Sequence, residues 1–236
     1  MKKRIFKSED RGSADHGWLK AKHSFSFANY YDPEKIRFGT LRVLNDDIVQ
    51  PKMGFGKHPH DNMEIVTIPL KGELAHEDST GNKEVIKQNE IQIMSAGSGL
   101  THSEFNNSNT EEVNLLQIWV FPKVKNIEPR YDQKVFDPSE RKNKIHTVVS
   151  PEKNDGILWI NQNAFFSLSD TDKDVTLKYE VKSEGNGVYF FVIEGKVEID
   201  GEILNKRDAV GIEDTDSFEI NFKENSKVLF IEVPMN

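Results

Sequence analysis

Two pairs of residues in the first half of the chain carry side chains that commonly bind metal ions. His58 and His60 lie two positions apart, and so do His102 and Glu104. Residues two apart on a β-strand point to the same face of that strand. On neighbouring strands, the two pairs would offer three imidazole nitrogens and one carboxylate oxygen to one ion. This set suits a divalent first-row metal and leaves coordination positions open.

Other residues compete for, or are excluded from, this site. Glu64 follows His60 closely and is an alternative carboxylate ligand, and the spacing does not decide between Glu64 and Glu104. The remaining histidines stand apart from the two pairs, and we expect them not to bind the metal: His16, His23, His76 and His146. His76 lies in an alternating segment, so we expect its side chain to be exposed or half-buried.

Metal-binding histidines usually donate their second ring nitrogen to a carbonyl, carboxylate or water. Three polar residues near the ligand segments are candidates for such support: Asp61, Glu64 and Gln117. We therefore expect these side chains to face the site.

Composition excludes several classes of function. The 236-residue chain has no cysteine, so disulfides, thiolate metal sites and cysteine nucleophiles are excluded. The net charge is −8, and residues 151–236 hold 9 Lys and Arg against 18 Asp and Glu, which disfavours binding to nucleic-acid phosphates. No apolar run approaches the roughly 20 residues of a membrane helix, and the basic N-terminus lacks a secretory apolar stretch. We expect a cytoplasmic protein that binds neither nucleic acid nor membrane.

The elements that must position the site are short strands. Segments rich in Val, Ile, Phe and Tyr recur along the chain, bounded by Gly, Asn and Asp, and they predict an all-β sandwich or barrel fold. Residues 68–76 and 192–199 share a pattern of strand, glycine turn and alternating strand, which indicates a duplicated unit. Residues 121–144 contain three prolines and many charges, and we expect an irregular connector there.

The two halves should differ in their interiors. No histidine follows His146, so the second half lacks the residues for a three-histidine site, and we predict that it binds no catalytic metal. We expect apolar side chains to fill it, among them Phe190, Val192, Phe218 and Phe230. The aromatic segment at residues 24–33 is expected to pack in a core or between domains.

Four blocks of the sequence together resemble the pirin family, including its bacterial quercetinase-like members. The second and third blocks also resemble the two cupin motifs. The blocks are residues 15–18 with 23–27 and 30–33, residues 58–60 with 64–67, residues 94–104, and residues 116–120. The resemblance implies an all-β bicupin of two jelly-roll-like domains: a metal-binding domain at residues 1–135 and a degenerate domain without metal at residues 136–236.

The resemblance also implies a ligand set and a function. The family's ligands fall on His58, His60, His102 and Glu104, which makes Glu64 a non-ligand by analogy. The implied activity is that of a quercetin 2,3-dioxygenase, which opens a flavonol-type polyphenol with O₂ at one divalent metal. Iron is favoured for that metal, with zinc, nickel, manganese or copper as alternatives. Glu104 would also accept the proton of the substrate 3-hydroxyl.

Two other functions stay open at this point. One is a metal-binding regulatory or interaction protein without turnover, as in a eukaryotic branch of the same family that acts in transcription. The other is a cupin isomerase or a different ring-opening dioxygenase, which a pocket too narrow for a three-ring flavonol would favour. Oxygen uptake with quercetin separates the first of these from the dioxygenase.

Overall fold

The computed structural model describes residues 1–235, which fold almost entirely as β-strands joined by turns. Two 3₁₀ helices interrupt the strands, at Ser8–Asp10 and Pro138–Arg141. The strands, numbered β1 to β22 in chain order, are Lys2–Phe6, Gly12–Asp15, Leu19–His23, Leu41–Val49, Gly54–His60, Glu64–Lys71, Glu73–Asp78, Lys83–Lys87, Glu90–Ser95, Leu100–Asn106, Val113–Val120, Arg130–Val135, His146–Ser150, Leu158–Trp159, Phe165–Thr171, Thr176–Glu180, Asn186–Glu194, Lys196–Ile199, Glu202–Asn205, Ala209–Glu213, Ser217–Phe222 and Ser226–Pro234.

Each half of the chain builds one large and one small sheet. In the first half, a seven-stranded sheet has the order β12-β9-β6-β11-β4-β3-β2 and a four-stranded sheet has the order β5-β10-β7-β8. In the second half, whose large sheet also takes in β1 from the start of the chain, the corresponding orders are β1-β20-β17-β22-β15-β13-β14 and β16-β21-β18-β19. This architecture confirms the predicted all-β class with two cupin-like units.

The internal repeat found in the sequence is present in the fold. Strands β6 and β7 are joined at Gly72, and β17 and β18 are joined at Gly195. Both glycines have left-handed backbone conformations, with φ of 76° and 90°, which residues with a Cβ adopt at a cost. A Cβ at Gly195 would also lie 2.2 Å from Oγ of Ser226. The duplication is therefore confirmed by matching corners and by the matching strand orders β9-β6-β11-β4 and β20-β17-β22-β15.

Side chains alternate along the central strands. One set packs between the two large sheets, and the other set points into the interior of its own unit. On β11, Leu116 and Ile118 belong to a large cluster that also contains Phe166 and Phe191 from the second half. This cluster joins the two large sheets. The intervening residue Gln117 points the other way, into the interior of the first unit, as the period of two requires.

The interior of the second unit is apolar, as predicted. Phe190, Val192, Phe218 and Phe230 all lie in one buried cluster. Phe230 stacks on Tyr179 with ring centroids 4.7 Å apart. The space that holds polar side chains in the first unit is thus filled with aromatic and aliphatic groups in the second.

Two segments depart from the expected organisation. The connector at residues 121–144 is not irregular throughout, because Arg130–Val135 forms β12 and pairs along its whole length with β9. In addition, β1 pairs with β20 of the second unit. The division into residues 1–135 and 136–236 stays a proposal.

The aromatic segment supports the junction between the halves. Phe25 is buried, and its ring lies 6.1 Å from that of Phe6 and 5.4 Å from that of Tyr189. Tyr31, in contrast, is 75% exposed. No helix within residues 1–235 is long and apolar enough to cross a membrane.

Candidate metal centre

Pairing between β5 and β10 brings the two predicted ligand pairs together. The strands are antiparallel, with His102 opposite His58 and Leu100 opposite His60. A bulge between His102 and Glu104 shifts the register, so that Glu104 lies opposite Phe55 on β5. On its other edge β10 pairs with β7, which places further side chains beside the site.

Three of the predicted ligands form a compact cluster at the end of the first unit. Donor atoms of His58, His60 and His102 all lie within 4.8 Å of one another. Their ring centroids are 4.4 to 4.9 Å apart. His58 and His60 are half-buried and His102 is buried, so the cluster is reached from the surface through the first two rings.

Glu104 is buried, as is His102, and follows it by two positions on β10. Donor atoms of Glu104, His102 and His76 lie within 4.8 Å of one another. His102 therefore belongs to two overlapping clusters. Oε2 of Glu104 accepts a hydrogen bond of 2.9 Å from Nε2 of Gln117. Oε1 is buried and has no hydrogen-bond partner among residues 1–235. Burial raises the pKa of Glu104 to about 7, although the bond from Gln117 acts in the opposite direction.

Burial and the neighbouring rings keep the imidazoles of His60 and His102 neutral, which is the form that binds metal. Burial lowers the pKa of His102 to about 2, and the nearby rings of His58 and His60 contribute in the same direction. Burial, with His58 beside it, lowers the pKa of His60 to about 4. Neither ring nitrogen of His102 has a hydrogen-bond partner in the described chain. A metal ion would give this buried imidazole the partner that it lacks.

The residues predicted to support the ligands lie in different surroundings. Nδ1 of His58 lies 2.8 Å from the carbonyl oxygen of Gly56, which orients its ring and leaves Nε2 for a metal. Gln117 contacts the proposed ligand Glu104, as described above, rather than the ring nitrogen of a histidine. Asp61 is exposed, and its closest side-chain partner is Asn62 at 3.3 Å.

Glu64 performs a different task from the one that its position suggested. It is fully buried, and its Oε2 accepts hydrogen bonds from Oγ of Ser95 at 2.8 Å and from the backbone N–H of Asn161 at 3.1 Å. Asn161 belongs to the second half, so this carboxylate joins the two halves. Burial raises the pKa of Glu64. Glu64 belongs to neither of the two donor clusters.

His76 is the residue whose environment the sequence interpretation got wrong. It is 1% exposed rather than exposed or half-buried, and its ring centroid lies 5.3 Å from that of His102. Its Nε2 lies 3.3 Å from Oδ2 of Asp78. The sequence did contain a signal, because His76 and Asp78 repeat the spacing of two that marks the ligand pairs.

The remaining histidines lie apart from both donor clusters. Nδ1 of His23 contacts Oδ1 of Asn45 at 2.9 Å, and His146 lies 3.6 Å from Glu140.

An apolar wall borders the histidine cluster. The indole of Trp119 lies edge-on to His60 with centroids 4.9 Å apart, and Phe27 lies edge-on to Trp119 at 5.4 Å. Ile65 and Met94 form a buried cluster against which Trp119 packs. The histidine cluster is thus bordered by the partly buried rings of Trp119 and Phe27.

Comparison with family models identifies both halves of the chain. The model described as Pirin matches residues 5–120, and the model described as quercetinase C-terminal cupin domain matches residues 147–233. A protein from Escherichia coli K12 named quercetin 2,3-dioxygenase is 42% identical over 228 residues, 97% of each chain. A pirin-like protein from Caulobacter vibrioides is 39% identical over 222 residues, 94% of this chain and 95% of the relative.

Solved structures give the same result. The crystal structure of YhhW from Escherichia coli has a TM-score of 0.94 and 40% identity, covering 99% of this chain and 98% of that one. A crystal structure of the bacterial pirin YhhW in complex with nickel(II), also from Escherichia coli, has a TM-score of 0.93 and 39% identity, covering 99% of both chains.

Proposed function

This chain belongs to the pirin family, and we propose that it is a metal-dependent dioxygenase that cleaves flavonol-type polyphenols. The observation that carries the proposal is the cluster of His58, His60 and His102 beside the buried carboxylate of Glu104, bordered by an apolar wall. The quercetin 2,3-dioxygenase name of the Escherichia coli relative supports the choice of substrate class.

We propose His58, His60, His102 and Glu104 as the four metal ligands. The buried, unpartnered nitrogens of His102 and Oε1 of Glu104 fit a metal ion, because buried polar groups normally have partners. Three nitrogens and one oxygen suit divalent first-row metals. Nickel in the YhhW complex supports a divalent ion. We retain iron as the native metal, with zinc, nickel, manganese and copper as alternatives.

When bound, the metal supplies a Lewis acid that polarises the 3-hydroxyl oxygen of the flavonol and lowers its pKa. Glu104 is the proposed acceptor of the hydroxyl proton, through its Oε1. Oε2 is occupied by Nε2 of Gln117, whose Oε1 accepts a bond of 2.8 Å from Oγ1 of Thr67. This chain of hydrogen bonds from Thr67 to Glu104 fixes the carboxylate and leaves Oε1, with its two lone pairs, for both the metal and the proton.

The wall beside the histidines would bind the rings of the substrate. Trp119 and Phe27 present aromatic edges, and the buried side chains of Ile65 and Met94 support Trp119 from behind. Excluding water there favours reaction of the electron-rich enolate with O₂. In the overall reaction, one flavonol and one O₂ yield one ring-opened ester and one carbon monoxide, so the atoms balance without another oxidant.

The same proposal covers the roles of the two units, the location of the protein and its relation to nucleic acid. The metal chemistry is confined to the unit at residues 1–135, while residues 136–236 provide a packed partner without a catalytic metal. The protein works in the cytoplasm on a diffusible polyphenol. Its acidic second half does not bind nucleic acid.

The test is oxygen uptake and carbon monoxide release with quercetin, using protein loaded with each candidate metal in turn. We expect consumption of one O₂ for each carbon monoxide released, and loss of both on substitution His102→Ala. Full metal loading without consumption of quercetin or related flavonols would favour the metal-binding regulatory protein instead.

A further inference from the structure

We propose that His76 is a positioning residue of the metal centre, and that the turn at residues 78–82 sets its place. The inference rests on the metal site proposed above but not on the oxygenase reaction. His76 lies on β7, directly opposite Glu104 on β10, while Asp78 lies opposite His102. The neighbouring strand thus places an imidazole and a carboxylate behind the two innermost proposed ligands.

The immediate surroundings of His76 are polar atoms of the metal centre. Donor atoms of His76, His102 and Glu104 lie within 4.8 Å of one another. Nδ1 of His76 is buried and has no hydrogen-bond partner within residues 1–235. Its ring is therefore an imidazole beside the proposed four-ligand set that this set does not use.

Asp78 fixes which nitrogen of His76 carries the proton. An ionised carboxylate can only accept hydrogen bonds, so the contact of 3.3 Å between Oδ2 of Asp78 and Nε2 of His76 requires the proton on Nε2. Nδ1 then has a free lone pair and acts as an acceptor. The second ring nitrogen of a metal-bound His102 is a donor that needs such an acceptor. An ionised Glu104 carries no proton, so it cannot donate a hydrogen bond to Nδ1 of His76.

The exposed turn after His76 holds Asp78 in place. Oδ1 of Asp78 accepts from the backbone N–H of Thr80 at 2.9 Å and from Oγ1 of Thr80 at 2.7 Å. Asn82 donates from its backbone N–H to Oδ1 at 3.1 Å and from Nδ2 to Oδ2 at 2.8 Å. Four donors from one turn thus orient the carboxylate that orients His76.

Two further contacts make this arrangement rigid. Tyr131 of β12 covers the His76 ring with centroids 4.8 Å apart, and its hydroxyl donates to Oε1 of Gln133 at 2.6 Å. The turn is also tied to β10, because Ser79 donates its N–H to the carbonyl of Thr101 at 2.8 Å and accepts from the N–H of Thr101 through Oγ at 3.1 Å. Thr101 precedes His102, so the turn is attached to the strand that carries the ligands.

The test is titration of the metal-free protein with Co²⁺, followed by visible absorption and a competing chelator. His76→Phe keeps a ring against Tyr131 but removes both nitrogens. We expect it to bind one Co²⁺ per chain about 10- to 100-fold more weakly than wild type, as is typical when an outer-shell partner is lost. Its d–d absorption should also change. The double variant Thr80→Val/Asn82→Ala, altered only in the turn, should shift the spectrum in the same direction by a smaller amount.

The matched control is Asp200→Ala, in the corresponding turn between β18 and β19 of the second unit, and it should leave binding and spectrum unchanged. Wild-type affinity and spectrum in His76→Phe would overturn the inference. If that variant fails to fold by circular dichroism, an unchanged spectrum in the turn variant overturns it instead. Four imidazole ligands counted by X-ray absorption would make His76 a ligand and likewise overturn the positioning role. Wild type that binds no Co²⁺ would contradict the metal site itself.

Discussion

Gln117 donates a hydrogen bond of 2.9 Å to Oε2 of Glu104, and this contact determines which carboxylate oxygen of Glu104 stays free. The bond comes from β11 of the large sheet and reaches a side chain on β10 of the small sheet. It therefore crosses the interior of the first unit. Because the bond favours the ionised form of Glu104, it opposes the effect of burial on the pKa of that carboxyl.

Substitution of Glu104 separates its two proposed roles. Glu104→Gln should bind metal more weakly, and at matched metal occupancy it should consume quercetin about 10²- to 10⁴-fold more slowly, the usual contribution of a general base. The measurement is the initial rate of quercetin consumption with metal content determined on the same sample. Equal rates at equal occupancy would remove the base role while leaving the oxygenase proposal intact.

Glu64→Gln is the matched comparison for Glu104, the proposed metal-binding carboxylate. We expect this variant to keep one equivalent of metal per chain with wild-type affinity, because Glu64 contacts Ser95 and Asn161 rather than the histidine cluster. Metal content of the purified variants and chelator competition measure this directly. A loss of affinity as large as that of Glu104→Gln would show that Glu64 is the carboxylate ligand.

The affinity for metal should depend on pH through Glu104. Its pKa of about 7 in the metal-free protein means that metal must displace a proton below that pH. Displacement of this proton makes the apparent affinity for metal rise about tenfold per pH unit as the pH rises towards 7. Above that pH it no longer changes the affinity. We expect Gln117→Leu to move this dependence to higher pH, since the variant loses the bond that favours the carboxylate. Titrations with Co²⁺ at pH 5 to 9 provide the measurement, and Glu104→Gln should lack this contribution.

Asp47 should make the metal-free protein less stable as the pH rises. Burial, with Asp46 and Glu104 nearby, raises the pKa of Asp47 from 3.8 to about 8. Between these values the folded chain binds the proton more tightly than the unfolded chain does. The stabilisation is therefore complete below about pH 4 and is lost as the pH rises to about 8.

The size of this effect follows from the shift. Asp47 alone should change the free energy of unfolding by up to about 1.4 kcal/mol per pH unit within that window. Urea unfolding of metal-free wild type and Asp47→Asn at several pH values measures it. The variant should show a flatter dependence on pH, and parallel curves for the two proteins would contradict the prediction.

Local patterns were enough to predict the all-β class and the candidate ligands, whereas the bicupin fold was predicted from the resemblance to the pirin family. A strand places residues two apart on one face whatever its neighbours are, so the spacing of His58 with His60 and of His102 with Glu104 marked them as candidates. The glycine corners at Gly72 and Gly195 are also local, because they depend on backbone conformation. For this reason the duplication could be predicted from the sequence, without knowledge of which strands pair.

Only the tertiary structure decided what surrounds those residues. His76 faces the metal centre because β10 lies between β5 and β7, a pairing that no local spacing specifies. Glu64 joins the halves because Asn161, 97 positions away, brings its N–H to the carboxylate. The pairing of β12 with β9 is decided in the same way. Burial and strand register depend on contacts between distant parts of the chain, so the sequence by itself determined the candidate ligands, and the fold decided their neighbours.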